Sequence, residues 1–296
     1  MVPLVVTPAL IVAVFVGISV LFGGLAGDVA SPAENLDRML HGTSNERDQA
    51  SLVLVQQVFD HIMARQEGRE SEWKIDDSFL PDLRRTWEET AEEDVLRRYV
   101  LAVILVQLGD DTGVARLGFI LDLSEDLDPG GELRFGVLLC LGALGPDLHV
   151  EQREQAAQRA IPFLRNEDAG LRSAAAIALQ TLPTPETVPA LQAALIDGSL
   201  AVRGNAAISL SHLGDGAGVD VLHDLLDPAT YAAERGLDPA LWTRAEDVSR
   251  SRVKAVEALA RLGRPEDLER LREIAAGDPD LNVREAALHA LERSSG

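Results

Sequence analysis

Six histidines and one cysteine are the chain's whole supply of imidazole and thiol. No histidine is followed by glutamate, no His-Glu-x-x-His occurs, and a single cysteine cannot make a zinc spacing. His223-Asp224 is the one His-Asp dipeptide, and its place on an amphipathic helical stretch reads as a solvated face. Cys140 lies in the apolar run Val137-Leu138-Leu139-Cys140-Leu141, so a packed thiol is expected and no intrachain disulfide is possible. Gly-Asp-Gly-Ala-Gly at Gly214 to Gly218 follows a helical pattern, where a phosphate loop would follow a strand. Gly-x-Ser-x-Gly is absent. The expectation is a chain with no catalytic residue, no cofactor and no metal.

What does recur is an arginine. Arg47, Arg98, Arg134, Arg172, Arg203, Arg252 and Arg284 each have a leucine seven residues on: Leu54, Leu105, Leu141, Leu179, Leu210, Leu259 and Leu291. Three residues on stands alanine in five copies (Ala50, Ala175, Ala206, Ala255, Ala287), with Leu101 and Val137 as exceptions. In the copy at Arg203, Leu213 lies ten on and Gly214 eleven on. Spacings of three, seven and ten mark one stripe of an α-helix, and glycine after the last turn stops it. Small residues let neighbouring helices approach while leucines fill the layer between them.

A cation in a first turn opposes the helix macrodipole, so the arginine needs its own reason. Thr43, Asp94, Asp168, Ser199 and Asp280 stand four before it and fit N-caps. The arginine, one turn inside, can then reach a carboxylate or carbonyl of the adjacent repeat. All seven are read as structural.

Between the signature helices run partner helices. The pattern predicts Pro32 to His41, then a signature helix to about Gln66 opened by the capping box Thr43-Ser44-Asn45-Glu46. Gln57 and Val58 stand there where leucine and glycine stand elsewhere. A charged connection from Glu67 to Ser78 leads to Phe79 to Ala91. Then come Asp94 to Leu108 with Gly113 to Leu123, Gly131 to Leu144 with Val150 to Leu164, Asp168 to Leu182 with Glu186 to Ile196, and Ser199 to Leu213 with Val219 to Leu226. Arg250 to Leu262 pairs with Pro265 to Ala276, and Asp280 to Arg293 ends the array unpaired. No strand pattern appears. Arginine spacings of 51, 36, 38, 31, 49 and 32 residues place insertions near 67–78 and 227–249.

Residues 2–27 carry no charge. Thr7-Pro8 opens them as an N-cap and first helical residue, and Pro8 to Gly27 covers roughly 30 Å at helical rise, a bilayer core. This predicts an uncleaved single-pass anchor in the inner cell membrane over 1–27. A cleaved signal is the competitor, since Gly24-Leu25-Ala26 is a small-x-small site, but a basic leading region is missing. Arg38 and Arg47 after the span lean the body toward the cytoplasm, with the periplasmic side open. Ala9, Ala13 and Gly17 form a small-residue ladder for helix packing in the membrane. A linker of 28–30 joins the anchor to a repeat body over 31–296.

The body therefore carries the whole net charge of −21. Such acidity opposes nucleic-acid backbones and anionic lipid alike, and leaves a protein partner with a basic surface, or one within a membrane complex.

The frame resembles the HEAT repeat. The copies Leu171 to Leu182, Val202 to Gly214 and Ser251 to Gly263 are similar to the short form also found in phycobilin lyases, and Val188-Pro189-Ala190-Leu191-Gln192-Ala193-Ala194-Leu195 is similar to its usual second helix. The chain also resembles bacterial membrane-anchored HEAT-repeat proteins. The resemblance implies an all-α solenoid of helical hairpins whose second helices line a concave, partner-binding face. Deoxyhypusine hydroxylase shares the architecture but needs repeated His-Glu pairs, which this chain lacks.

The expected function is a membrane-tethered protein-interaction scaffold without catalysis. Alternatives are an accessory subunit stabilising a larger membrane complex and a bilin-lyase-like, cofactor-handling enzyme. The second insertion carries Tyr231, Arg235, Trp242 and Arg244, residue types common at interface hot spots. The competing reading makes Tyr231 and Trp242 a plug in the gap between repeats.

Overall fold

The computed structural model describes residues 30–76, 78–237 and 244–294. Within them every regular element is helical. In chain order these are α1 (Pro32–His41), α2 (Ser44–Gln66), α3 (Phe79–Glu89), α4 (Val95–Gln107), α5 (Gly113–Leu121), α6 (Glu132–Leu144) and α7 (Val150–Ala160). A 3₁₀ turn, Ile161–Arg165, leads to α8 (Ala169–Leu179), α9 (Thr187–Ala194), α10 (Leu200–His212), α11 (Val219–Leu226) and α12 (Pro228–Leu237). The last are α13 (Ala245–Leu262), α14 (Pro265–Gly277) and α15 (Leu281–Ser294). They form two compact units, the first ending at Arg159 and the second beginning at Ala160.

Helix starts follow the capping chemistry. Ser31 and Glu34 close a reciprocal capping box at α1, and Thr43 and Glu46 close one at α2. The Asp168 carboxylate accepts the Leu171 N–H at α8, and the Asp280 carboxylate accepts from Asn282 at α15. At the other end Gly109, Gly214 and Gly263 take φ of 79°, 76° and 64°, a left-handed stop that a Cβ would oppose. Gly145 stays right-handed, and Pro146 follows it.

Three expected boundaries move. The run Val150 to Leu164 is not one α-helix: it tightens to 3₁₀ at Ile161, where Pro162 has no N–H for the ladder. The insertion after Asp227 contains a helix of its own, α12, starting on a proline at N1. The signature helix expected from Arg250 already begins at Ala245.

The stripe is the core. Leu54, Leu105, Leu141, Leu179, Leu210 and Leu259 are all sealed from solvent, and each contributes roughly 1.5–3 kcal/mol by burial. Leu291, on the last helix, is only partly covered. Ala50, Ala175, Ala206, Ala255 and Ala287 are buried beside them, and Leu101 and Val137 fill the same place in their copies. In the first unit Leu36, Met39, Leu54, Phe79, Leu83 and Ile104 belong to one apolar cluster. In the second, Leu222, Leu225, Tyr231, Val256, Leu259, Leu271 and Val283 belong to another.

Among the described residues no helix is long and apolar enough to cross a membrane. The expected anchor over 1–27, with Ala9, Ala13 and Gly17, lies outside them.

Candidate functional site

The repeated arginines come first, because their surroundings decide whether any is free for a ligand. Arg172 sits one turn into α8 and turns its guanidinium back toward the loop before the helix. Its Nη1 donates to the carbonyls of Asn166 and Glu167, both at 2.9 Å. Its Nε and Nη2 grip Asp197 Oδ2 and Oδ1 at 2.7 and 2.9 Å. Asp197 belongs to the next repeat, where it stands six residues before Arg203. Arg203 repeats the gesture, with Nη1 on the carbonyls of Asp197 and Gly198 at 2.8 and 3.1 Å. Pointed at oxygens ahead of its own helix, the cation escapes the unfavourable end of the macrodipole.

Arg252 donates through Nε to the Leu226 carbonyl at 2.9 Å and through both terminal nitrogens to Asp278, six before Arg284. In the first unit the reach is shorter. Arg134 holds the side chain and carbonyl of Asp128, again six residues before it, and Arg98 puts Nε and Nη2 on the Thr90 carbonyl. Arg98 also lies over the Trp87 ring at 4.4 Å. The terminal copies differ: among the described residues Arg47 has a buried Nε without a partner, and the Arg284 guanidinium makes no hydrogen bond or ion pair, only its backbone N–H bonding the Asp280 carbonyl.

The position six before the arginine was missed by sequence reasoning. Its signal was available: Asp128, Asn166, Asp197 and Asp278 all stand there. Three of them also fold the loop locally, accepting the N–H two residues on: Asp168 to Asn166, Ser199 to Asp197 and Asp280 to Asp278. Burial works against charge on Asp197, but Arg172 and the Ser199 N–H outweigh it and hold the carboxyl below its ordinary value. Burial likewise opposes, and Arg252 with the Asp280 N–H overcomes, at Asp278.

The insertion enters this ladder. Arg203 donates Nη2 to Glu234 of α12 at 3.0 Å, while Glu246, the residue six before Arg252, is exposed. The insertion helix therefore supplies the acceptor that a bare hairpin would supply from its loop. Beside it Tyr231 is wholly buried, its hydroxyl donating to the Leu225 carbonyl at 2.8 Å and lying 2.9 Å from Ser251 Oγ. Burial pushes the Tyr231 phenol up to about 12. A side chain so placed is enclosed by its own fold. Arg244 is exposed at the N-cap of α13. The side chain of Arg235, and all of Trp242, lie outside the described residues.

His223 is exposed, as its place on a solvated face implied. What the sequence did not indicate is its partner, Asp267 of α14, Nε2 to Oδ1 at 2.8 Å, a carboxylate that is wholly buried. Asp267 lies 44 residues away, so only the tertiary fold brings the two together. Cys140 is buried, and burial pushes its thiol up to about 12. Among the described residues no cluster of His, Cys, Asp and Glu has the makings of a metal site.

Hollows open within the second unit. One, about 370 Å³, is lined from signature helices α8, α10 and α13 and from α11 by apolar Ile177, Ala201, Ile208 and Leu225 and by charged Asp247, Arg250 and Lys254. Another, about 530 Å³, lies against the 3₁₀ turn and the second helix α9, at Pro162, Pro189, Ala190 and Ala193. Signature helices line a hollow as well as second helices, which the resemblance had not implied.

Hairpins in tandem carry an arginine one turn inside each signature helix, with Asp128, Asn166, Asp197 or Asp278 six before it in four copies. The family of HEAT repeats matches residues 157–237. Residues 157–237 are HEAT repeats. Human deoxyhypusine hydroxylase, solved in complex with glycerol, aligns at 18% identity over 89% of this chain and 96% of that one, with a TM-score of 0.33. Two engineered proteins align at 16% identity. One covers 91% of this chain and 97% of its own, with a TM-score of 0.44; the other covers 88% and 78%, with 0.39. No curated protein sequence matches.

Proposed function

We propose that this protein is a non-catalytic scaffold that holds a protein partner along its signature helices while residues 2–27 tether it to the inner membrane. The observation that carries the reading is the groove on α8, α10 and α13. Its lining combines apolar Ile177, Ala201, Ile208 and Leu225 with charged Asp247, Arg250 and Lys254, while the repeat arginines Arg172, Arg203 and Arg252 are committed to Asp197, Glu234 and Asp278. Apolar and charged lining together suit an amphipathic protein segment better than a small polar substrate. The net charge of −21 draws a basic partner toward the body over long range, and the groove then sets the fit.

The test is recovery of partners from mild detergent with the full chain and with Ile177→Glu and Ile208→Glu variants. A stoichiometric soluble partner lost on both substitutions supports the scaffold. An integral-membrane partner retained on both, but lost when Ala9, Ala13 and Gly17 are replaced by leucine, supports the accessory-subunit reading instead. A bound chromophore, or turnover in the absence of any partner, overturns both.

A further inference from the structure

In five copies the frame puts leucine ten residues after the arginine: Leu108, Leu144, Leu182, Leu213 and Leu262. In the first copy that place belongs to Gln57, which at 2% exposed is as buried as Leu144 and Leu182 and more buried than Leu108, Leu213 and Leu262. Its Nε2 donates to the Ala30 carbonyl at 2.7 Å. Its Oε1 accepts from Asn35 Nδ2 at 3.0 Å, and that same nitrogen donates to the Ala30 carbonyl at 3.3 Å. Asn35, on α1, is also 2% exposed. Two buried amides thus close a triangle on one backbone oxygen.

Leucine at this place would pack without any such requirement. Amides are tolerated only because each answers the other, and a fully paired buried network admits a single geometry. What that geometry fixes is the chain at Ala30, one residue ahead of the Ser31 N-cap and three past Gly27, where the uncharged stretch ends. The helix in which Gln57 stands also runs on to Gln66, because Val58 replaces the glycine stop.

We propose that Asn35 and Gln57 form a clamp that sets the direction in which the chain enters the repeat body. The direction in which the chain leaves Ala30 is thereby fixed relative to α1 and α2. The use of a membrane in the test rests on the tether proposed above; the clamp itself rests on the three bonds to and beside Ala30.

The experiment uses the full chain in lipid nanodiscs, with Cys140→Ala and spin labels at Ala26→Cys and Gln66→Cys. Pulsed dipolar spectroscopy reads the distance distribution between the labels. The parent is expected to give one narrow distribution, and Gln57→Leu, which restores the repeat frame, to broaden it at least twofold with helical content unchanged. Asn35→Ala, which removes two of the three bonds, broadens it as well and serves where Gln57→Leu fails to fold. A folded variant of either kind with an unbroadened distribution overturns the clamp, even if its melting temperature falls. Flotation of the parent with liposomes is read separately: a chain that stays narrow in detergent but does not float retains the clamp and loses the tether.

Discussion

Arg252 holds both carboxylate oxygens of Asp278 across the gap between α13 and the start of α15, with Nη1 to Oδ1 at 3.0 Å and both side chains less than a tenth exposed. Removing one member of such a pair leaves the other buried and charged. Arg252→Ala is therefore expected to destabilise the chain by about 3–5 kcal/mol, more than an ordinary surface pair. Arg252→Lys recovers only part, because a point charge cannot bond Asp278 twice and the Leu226 carbonyl once. Urea denaturation checks both, and equal stability of the lysine variant and the parent would sink the argument from the fork.

Asp110, Asp197 and Asp278 are all held below the ordinary carboxylate value. In each, burial pushes the other way and is outweighed, by Thr112 and Arg84 at Asp110 and by arginine and backbone N–H at the other two. A carboxyl lowered in the fold takes up its proton first in the unfolded chain. Its contribution is thus complete above the unfolded value of about 3.9 and is lost as pH falls through the lower folded value. The urea midpoint is expected to hold from neutrality to about pH 5 and then fall. An Asp197→Asn/Asp278→Asn variant starts lower and falls less steeply, which parallel titrations at a series of pH values resolve.

Tyr231 distinguishes a plug from a contact surface. Tyr231→Phe keeps the ring and removes the hydroxyl that Leu225 and Ser251 share, at a cost of about 1–2 kcal/mol. Tyr231→Ala empties a wholly buried site and costs about 3–5 kcal/mol. Both losses appear in thermal unfolding without any partner present. A variant that unfolds like the parent yet fails to bind its partner would restore the interface reading.

Cys140 is expected to resist thiol reagents in the native state, since burial both hides it and raises its thiol to about 12. Labelling at pH 8 should proceed only at the rate of opening, and become fast in denaturant. Rapid native labelling would place the α6 core in exchange with water.

Gly214 has nothing within 4 Å of where a Cβ would stand, so its left-handed φ of 76° is the only obstacle to a side chain. Gly214→Ala is expected to cost about 1–2 kcal/mol and Gly214→Asn less, by denaturant melts.

The sequence by itself determined the helices, their caps and stops, and the stripe of alanine and leucine that becomes the core. All of these depend on spacings within a turn or two, and a period of 3.6 residues is written into neighbouring residues. It also showed that one arginine recurs in every copy. Tertiary structure alone decided what those arginines hold: Asp197 lies 25 residues after Arg172, Asp278 lies 26 after Arg252 and Glu234 lies 31 after Arg203. The same holds for His223 with Asp267 and for Gln57 with Ala30. Such partners meet only after a hairpin has closed and the next has packed on it, and no local period encodes which oxygen then faces which nitrogen. Tyr231 makes the point most sharply, because tyrosine serves equally well in a core and on an interface, and burial against Leu225 of α11 and Ser251 of α13 is what places it in the core.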